Sequence, residues 1–282
     1  MGRNPFDIIK FRTHVLSTFI AIYLVLLTVF VVLEYQNLLP WSIEDRLWQP
    51  INSMVIFGTV CAILLVTGQR AGLRIKQLFG RVPRFPLGYG LLLITSMFIF
   101  SLSSSLLLFY PISFLAPGFV EERLSQQLFE IETAVPAIYK GLMLFVAIVF
   151  APLTEEFIFR GVLLQRWAVR WNLPIGIMAS SVLFGILHVN NPLGLTMFGV
   201  IMALLYIRTR SLWVPIIAHA LNNIVAVTPE LLFPSSDTFK LEDLQQGWWM
   251  GLVGLCIAAP TLIHFISKNW PQKSANPPYF RE

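Results

Sequence analysis

Six polar residues set inside hydrophobic stretches are the part of this sequence that could do chemistry: Glu155, Glu156 and Arg160 on one stretch, His188 on a second, His219 and Asn223 on a third. An ionisable side chain in hydrocarbon costs about 2.5–3.5 kcal/mol on insertion scales, so several on separate spans call for a shared polar cavity. Glu156 and Arg160 are four residues apart with the acid first, the favoured orientation for a helical ion pair, and can neutralise one another. Glu155 projects about 100° away and meets Phe159 at i+4, so it has no local cation and is left free to act as a general base. His188 follows Phe184 by four residues and Asn223 follows His219 by four, so each pair shares a helix face. A purely architectural reading also exists: the ion pair pins two helices, a lone imidazole fills a hydrogen-bonded core site, and an Asn bridges helices. It fits Glu156 and Arg160 better than Glu155. His14, near Arg12 at an interface, and His264, with no polar companion at helical spacing, fall in that architectural class. Cys61 and Cys256 both sit mid-span and read as apolar packers, not a disulfide or metal pair.

The elements that must position these groups follow from composition. Hydrophobic residues make up 56% of 282 positions, charged residues 12%, and mean hydropathy is +0.71, which is far too apolar for a soluble domain of this size. The expected fold is all-α, a polytopic membrane helix bundle. A bilayer core of about 30 Å needs about 20 helical residues, and apolar runs of that order occupy residues 14–33, 50–68, 88–109, 140–165, 173–190, 193–207, 211–228 and 247–267. About eight transmembrane helices are therefore expected, in a single integral domain over 1–282, with the motif-bearing core at 140–228. The first run is too long for a secretory core and reads as a retained span. The stretch from Gly118 to Thr133 reads as a short amphipathic surface helix or a solvated loop, and the Pro-rich tail from Pro271 as loose.

Charge sets the orientation. Of the 20 Lys and Arg, all but Arg46, Arg123, Lys140 and Lys240 fall in the N-terminal segment, the second, fourth and sixth connections, or the tail, which by the positive-inside rule face the cytoplasm. Both termini are thus expected to be cytoplasmic. Glu34, Glu121, Glu122, Glu230, Glu242 and Asp243 lie on the other side, and the Trp residues sit near span ends. The net charge of +5 is an orientation signal and not nucleic-acid affinity, because the basic residues are scattered over short loops. Measured from the cytoplasmic ends at 1.5 Å per residue, Glu155, His188, His219 and Asn223 lie about 16, about 22, about 12 and about 18 Å deep. They can meet near mid-bilayer if the fourth helix begins near Lys140 rather than at Pro136.

In order along the chain, Glu155-Glu156-Phe157-Ile158-Phe159-Arg160, Phe184-Gly185-Ile186-Leu187-His188 and His219-Ala220-Leu221-Asn222-Asn223 resemble the motifs EExxxR, FxxxH and HxxxN. Together they are similar to the CPBP family of intramembrane proteases, which includes the Rce1-type CAAX-prenyl proteases, bacteriocin-processing enzymes and Abi proteins. The resemblance spans roughly residues 140–225. It implies an endopeptidase acting inside the bilayer, with Glu155 and His188 activating a water and His219 and Asn223 stabilising the oxyanion. Glu156 and Arg160 remain the supporting ion pair.

Two mechanisms stay open. Two histidines and a carboxylate are a catalytic zinc ligand set, so Glu155, His188 and His219 could hold Zn2+; no His-Glu-x-x-His occurs, and a glutamate/histidine-activated water is the other version. A non-catalytic carrier or scaffold using the same polar cavity is the alternative function, although no internal inverted repeat of the carrier kind is visible. The expected partners are the lipid bilayer and a membrane-protein or peptide substrate, prenylated or not. The expected location is the plasma membrane of a bacterium.

Overall fold

The computed structural model describes residues 5–8, 15–36, 38, 46–83, 86–125, 133, 135–232 and 239–280. Arg12 and His14, and the stretch 126–132 of the expected outer surface segment, lie outside the described residues. Among the described residues every regular element is helical: α1 (Pro5–Ile8), α2 (Leu16–Tyr35), α3 (Trp48–Arg70), α4 (Ile75–Phe79), α5 (Leu87–Leu115), α6 (Pro117–Leu124), α7 (Pro136–Arg170), α8 (Leu173–Leu187), α9 (Pro192–Thr209), α10 (Trp213–Leu232), α11 (Leu241–Gly247) and α12 (Trp249–Asn269), with a 3-10 turn at Pro278–Phe280.

Over their described residues the eight apolar runs are mostly helical, and the chain is a multi-pass membrane helix bundle. Six of the helices, α2, α3, α5, α7, α9 and α12, are long and apolar enough to cross a membrane. The remaining two, α8 and α10, fall short for different reasons. Helix α8 has only 15 residues, and α10 contains His219, Asn222 and Asn223, which lower its hydropathy. Helix α9 is the centre of the bundle, with Ile201, Met202, Ala203 and Leu204 fully buried. Helix α2 is peripheral, has no buried residue, and is tied to α3 by Tyr23 Oη donating to Asn52 Oδ1 at 2.8 Å.

The α8–α9 hairpin is the scaffold of the site. Gly199 lets the two helices approach, since a Cβ there would lie 2.9 Å from Ser181 Cα. Small residues at the crossing replace the hydrophobic drive that lipid cannot supply.

Helix α7 differs from the expected 140–165. It runs 35 residues without a break, about 52 Å at 1.5 Å per residue, and it begins at Pro136, where a proline at the first helical position loses nothing. Its middle is not regular: turns of π-helix occupy Val146–Phe150 and Phe157–Leu164. Pro152 explains the first. It has no N–H and its ring crowds the preceding turn, so the ladder widens just before it. The short α-helical piece between the π turns, Ala151–Glu156, carries both glutamates.

The tail also departs from expectation. Pro278 and Tyr279 are buried, the Tyr279 hydroxyl accepts from Arg74 N at 3.0 Å, and Gln77 Nε2 donates to the Tyr279 carbonyl at 3.0 Å. The Phe6 ring meets Tyr279 edge-on at 5.1 Å, so α1 and the 3-10 turn pack together. Aromatic burial outweighs the prolines that suggested a loose segment. At the start of the Gly118–Thr133 stretch, Pro117–Leu124 form a short helix.

Candidate active site

Glu155, Glu156, Arg160, His188 and His219 come together between α7, the C-terminal end of α8 and the first half of α10. Glu156 and Arg160 are almost completely inaccessible, and Arg160 Nη1 donates to Glu156 Oε1 at 2.9 Å. The guanidinium also donates through Nη2 to the Gly199 carbonyl at 3.3 Å and lies 4.7 Å from the centre of the Phe184 ring. One side chain of α7 thereby fastens α8 and α9, which is the pinning role its sequence position suggested. Such a buried charge persists because it is paired and hydrogen-bonded.

Sequence reasoning missed the second bond to Glu156. His219 Nδ1 stands 2.9 Å from the same Oε1. No local spacing signals it, because the two residues are on different helices. A carboxylate oxygen can only accept, so Nδ1 carries the hydrogen and Nε2 of the neutral ring is left with its lone pair.

His188 is not on the helix that was expected to extend to residue 190. Helix α8 stops at Leu187, and His188 is its C-cap, with φ −103° and ψ 71°. The stop is local in origin: Asn191 and Pro192 open the next helix, and the residue before a proline is steered away from helical geometry. The imidazole still reaches back one turn. Its Nδ1 is 2.7 Å from the Phe184 carbonyl and its ring lies 4.4 Å from the Phe184 ring. A carbonyl also only accepts, so here too Nδ1 bears the hydrogen and Nε2 is the free acceptor.

Both Nε2 atoms face the same oxygen. His188 Nε2 and His219 Nε2 are each 4.0 Å from Glu155 Oε2. That distance is too long for a direct hydrogen bond and suits a single water reaching both groups. The Glu155 and His219 side chains are 8% and 6% exposed, whereas that of His188 is 34% exposed, so the ring of His188 forms the accessible edge.

Asn223 lies one turn beyond His219 on α10 and donates through Nδ2 to the Ala147 carbonyl at 2.7 Å. The carbonyl is available for a specific reason. In the first π turn the Ala151 N–H bonds to Val146 instead, and residue 152, the next donor in a π ladder, is a proline. Asn223 caps what Pro152 leaves open, and its second amide N–H is not used by that bond.

The donor types at Glu155, His188 and His219 are those of a zinc site, and each ring has its far nitrogen held by an oxygen as metal-bound histidines do. The spacing does not match. Ligand atoms at 2.0–2.2 Å from a tetrahedral ion lie about 3.4 Å apart, against 4.0 Å here. Among the described residues, no group of three or more His, Cys, Asp or Glu is placed to hold a metal ion. Cys61 and Cys256 are free thiols, one buried and one exposed, and His264 faces outward on α12.

Residues 138–225 match the family model described as Type II CAAX prenyl endopeptidase Rce1-like. Every residue of the cluster lies within that stretch. Over 113 residues the chain is 34% identical to the curated relative "Putative membrane peptidase YdiL" of Bacillus subtilis (strain 168), covering 39% of this chain and 44% of that protein. The chain thus matches less than half of the relative's length. No solved structure matches. The resemblance drawn from the three motifs is borne out by both comparisons: the motif-bearing stretch is similar to the Rce1-like endopeptidases.

Proposed function

With residues 138–225 matching the Rce1-like endopeptidases, we propose that this chain is an intramembrane endopeptidase that hydrolyses a peptide bond of a membrane-associated substrate. The observation that carries the reading is the pair of imidazole Nε2 atoms, each 4.0 Å from Glu155 Oε2. Three acceptor atoms around one gap need a donor between them, and a water supplies two hydrogens.

In the proposed reaction that water points its hydrogens at Glu155 and His188 and its remaining lone pair at the scissile carbonyl carbon. As the C–O bond forms, Glu155 takes one proton. His219 and Asn223 face the developing oxyanion, His219 after its Nε2 has taken up a proton from solvent on substrate entry, with its Nδ1–H still held by the Glu156 carboxylate, and Asn223 through its unused amide N–H. Collapse of the tetrahedral intermediate breaks the C–N bond. Glu155 passes its proton to the departing nitrogen while His188 Nε2 takes the second proton of the water and later releases it to solvent, leaving a carboxylate product and an amine. The side chains and water perform all of these steps, and the 4.0 Å spacing is the reason for leaving zinc out.

The proposed orientation has both termini cytoplasmic, in a bacterial plasma membrane. The test is direct. Purified protein in lipid vesicles is offered an internally quenched farnesylated CAAX peptide and an internally quenched single-span transmembrane peptide. Cleavage by the parent protein and none by Glu155→Ala is expected. Failure to cleave either peptide, combined with uptake of a solute into the vesicles, would transfer the site to a carrier.

A further inference from the structure

His188 sits outside any helix, so something else must fix its ring to within the tolerance that water activation requires. We propose that Asn191 is a positioning residue for His188, bolting the turn that presents the imidazole to the serine-bearing face of α5. The inference rests on the protease reading.

The turn is short: His188, Val189, Asn190 and Asn191 join α8 to α9. It is closed by Asn191 N donating to the His188 carbonyl at 3.0 Å. The Asn191 side chain then uses its whole hydrogen-bonding capacity. Its Oδ1 accepts from Gly194 N at 3.0 Å, capping α9, and from Ser104 Oγ at 3.4 Å. Its Nδ2 donates to the Ser101 carbonyl at 3.0 Å and to Ser101 Oγ at 2.6 Å. Two acceptor and two donor sites are all that an amide has.

The seat is built closely around this group. A Cβ on Gly194 would lie 2.5 Å from Asn191 Oδ1 and 2.7 Å from Ser101 Oγ, so α9 meets α5 here only because residue 194 has no side chain. The turn is held on its other flank by Arg123 Nη1, which donates to Asn190 Oδ1 at 3.0 Å. An interhelical bond of this kind between α5 and the turn transmits directly to the residue that the turn carries. A displacement of 1 Å at a reacting group costs about 10²-fold in rate, and a site is only as well placed as the groups supporting it.

Asp is the informative replacement, because it keeps the shape and the α9 cap while setting an oxygen against the Ser101 carbonyl. Full-length parent protein, Asn191→Asp, Asn191→Ala, Ser101→Ala and the double Asn191→Ala/Ser101→Ala variant are compared in vesicles on the two quenched peptides. The folded fraction is measured by gel filtration and circular dichroism, and rates are expressed per folded molecule. For Asn191→Asp, kcat is expected to fall about 10- to 100-fold with KM within about twofold. Ser101→Ala, which keeps the carbonyl, should lose less in the same direction, and the double variant no more than Asn191→Ala. Unchanged kcat per folded molecule, with loss confined to folded fraction, would overturn the inference, as would independent multiplicative effects in the double variant. Should Asn191→Asp fold poorly, Ser101→Ala decides. If the parent protein cleaves neither peptide, the protease reading itself falls and takes the inference with it.

Discussion

Oε1 of Glu156 stands 2.9 Å from Nδ1 of His219, 63 positions away in sequence, and 2.9 Å from Nη1 of Arg160 one turn along its own helix. A single carboxylate oxygen therefore serves both the ion pair that fastens α7 to the α8–α9 hairpin and the imidazole that faces Glu155. Its fellow atom Oε2 is buried with no hydrogen-bond partner among the described residues. Architecture and chemistry meet at this atom, and they can be separated by substitution.

Arg160→Ala should be strongly destabilising, by about 3–5 kcal/mol, because it leaves Glu156 charged and unpaired in the interior. The double variant Glu156→Gln/Arg160→Met removes both charges and should recover most of that loss, since a buried pair replaced by neutral groups of similar size is often close to neutral. Turnover should not recover, because an amide can accept from His219 Nδ1 but cannot balance an imidazolium. Thermal unfolding in detergent and peptide cleavage are measured side by side; full activity in the double variant would reduce Glu156 to a structural role.

Glu155→Ala and His188→Ala should each abolish cleavage while leaving folding intact. The Glu155 carboxylate stands 4.0 Å from both rings, beyond direct hydrogen-bond reach, and His188 is at the accessible edge, so neither carries much of the core. Gel filtration and unfolding temperature report the fold, and peptide cleavage reports the chemistry. Equal loss of folding in these two variants and in Arg160→Ala would return the cluster to an architectural reading.

Exhaustive chelation is expected to leave cleavage unchanged, with metal analysis giving well under one equivalent of zinc. The ground is the 4.0 Å separation of Glu155 Oε2 from both rings, wider than the about 3.4 Å of tetrahedral ligands. Loss of activity on chelation, restored stoichiometrically by zinc, would make Glu155, His188 and His219 a metal set after all.

Asn223→Ala should cost stability as well as rate, because the Ala147 carbonyl loses its donor; interhelical bonds of this sort are worth about 0.6–2 kcal/mol. Adding Pro152→Ala restores a backbone N–H to α7 and should return the stability but not the rate. If the double variant regains both, Asn223 serves only to cap the proline-opened carbonyl.

Much of the site was legible in the sequence because its parts are local. The Glu156–Arg160 pair follows from i,i+4 spacing, and the freedom of Glu155 follows from Phe159 at the position where a cation would stand. The proximity of His188 to Phe184 was also readable, though the structure reaches it through a C-cap and not a continuing helix. What was not legible depends on neighbours distant in the chain. Asn223 looked like a free donor because the carbonyl it caps, Ala147, is 76 positions away. The start of α7 at Pro136 was passed over because the convergence of depths was judged from a regular helix, and π turns change both rise and rotation.

Hydropathy and three spaced motifs were enough by themselves to determine a helical membrane protein with a carboxylate, two imidazoles and an amide distributed over three apolar stretches. Each of those signals is a property of a few consecutive residues and of the solvent around them, so no partner helix is needed to read it. Only the tertiary structure decided which ring nitrogen is free, since a tautomer is chosen by the oxygen that its other nitrogen meets: the Phe184 carbonyl for His188 and the Glu156 carboxylate for His219. It also decided that both free nitrogens converge on one oxygen of Glu155. That convergence is set by how α7, α8 and α10 cross, and helix crossing is fixed by side chains that no single stretch of sequence contains.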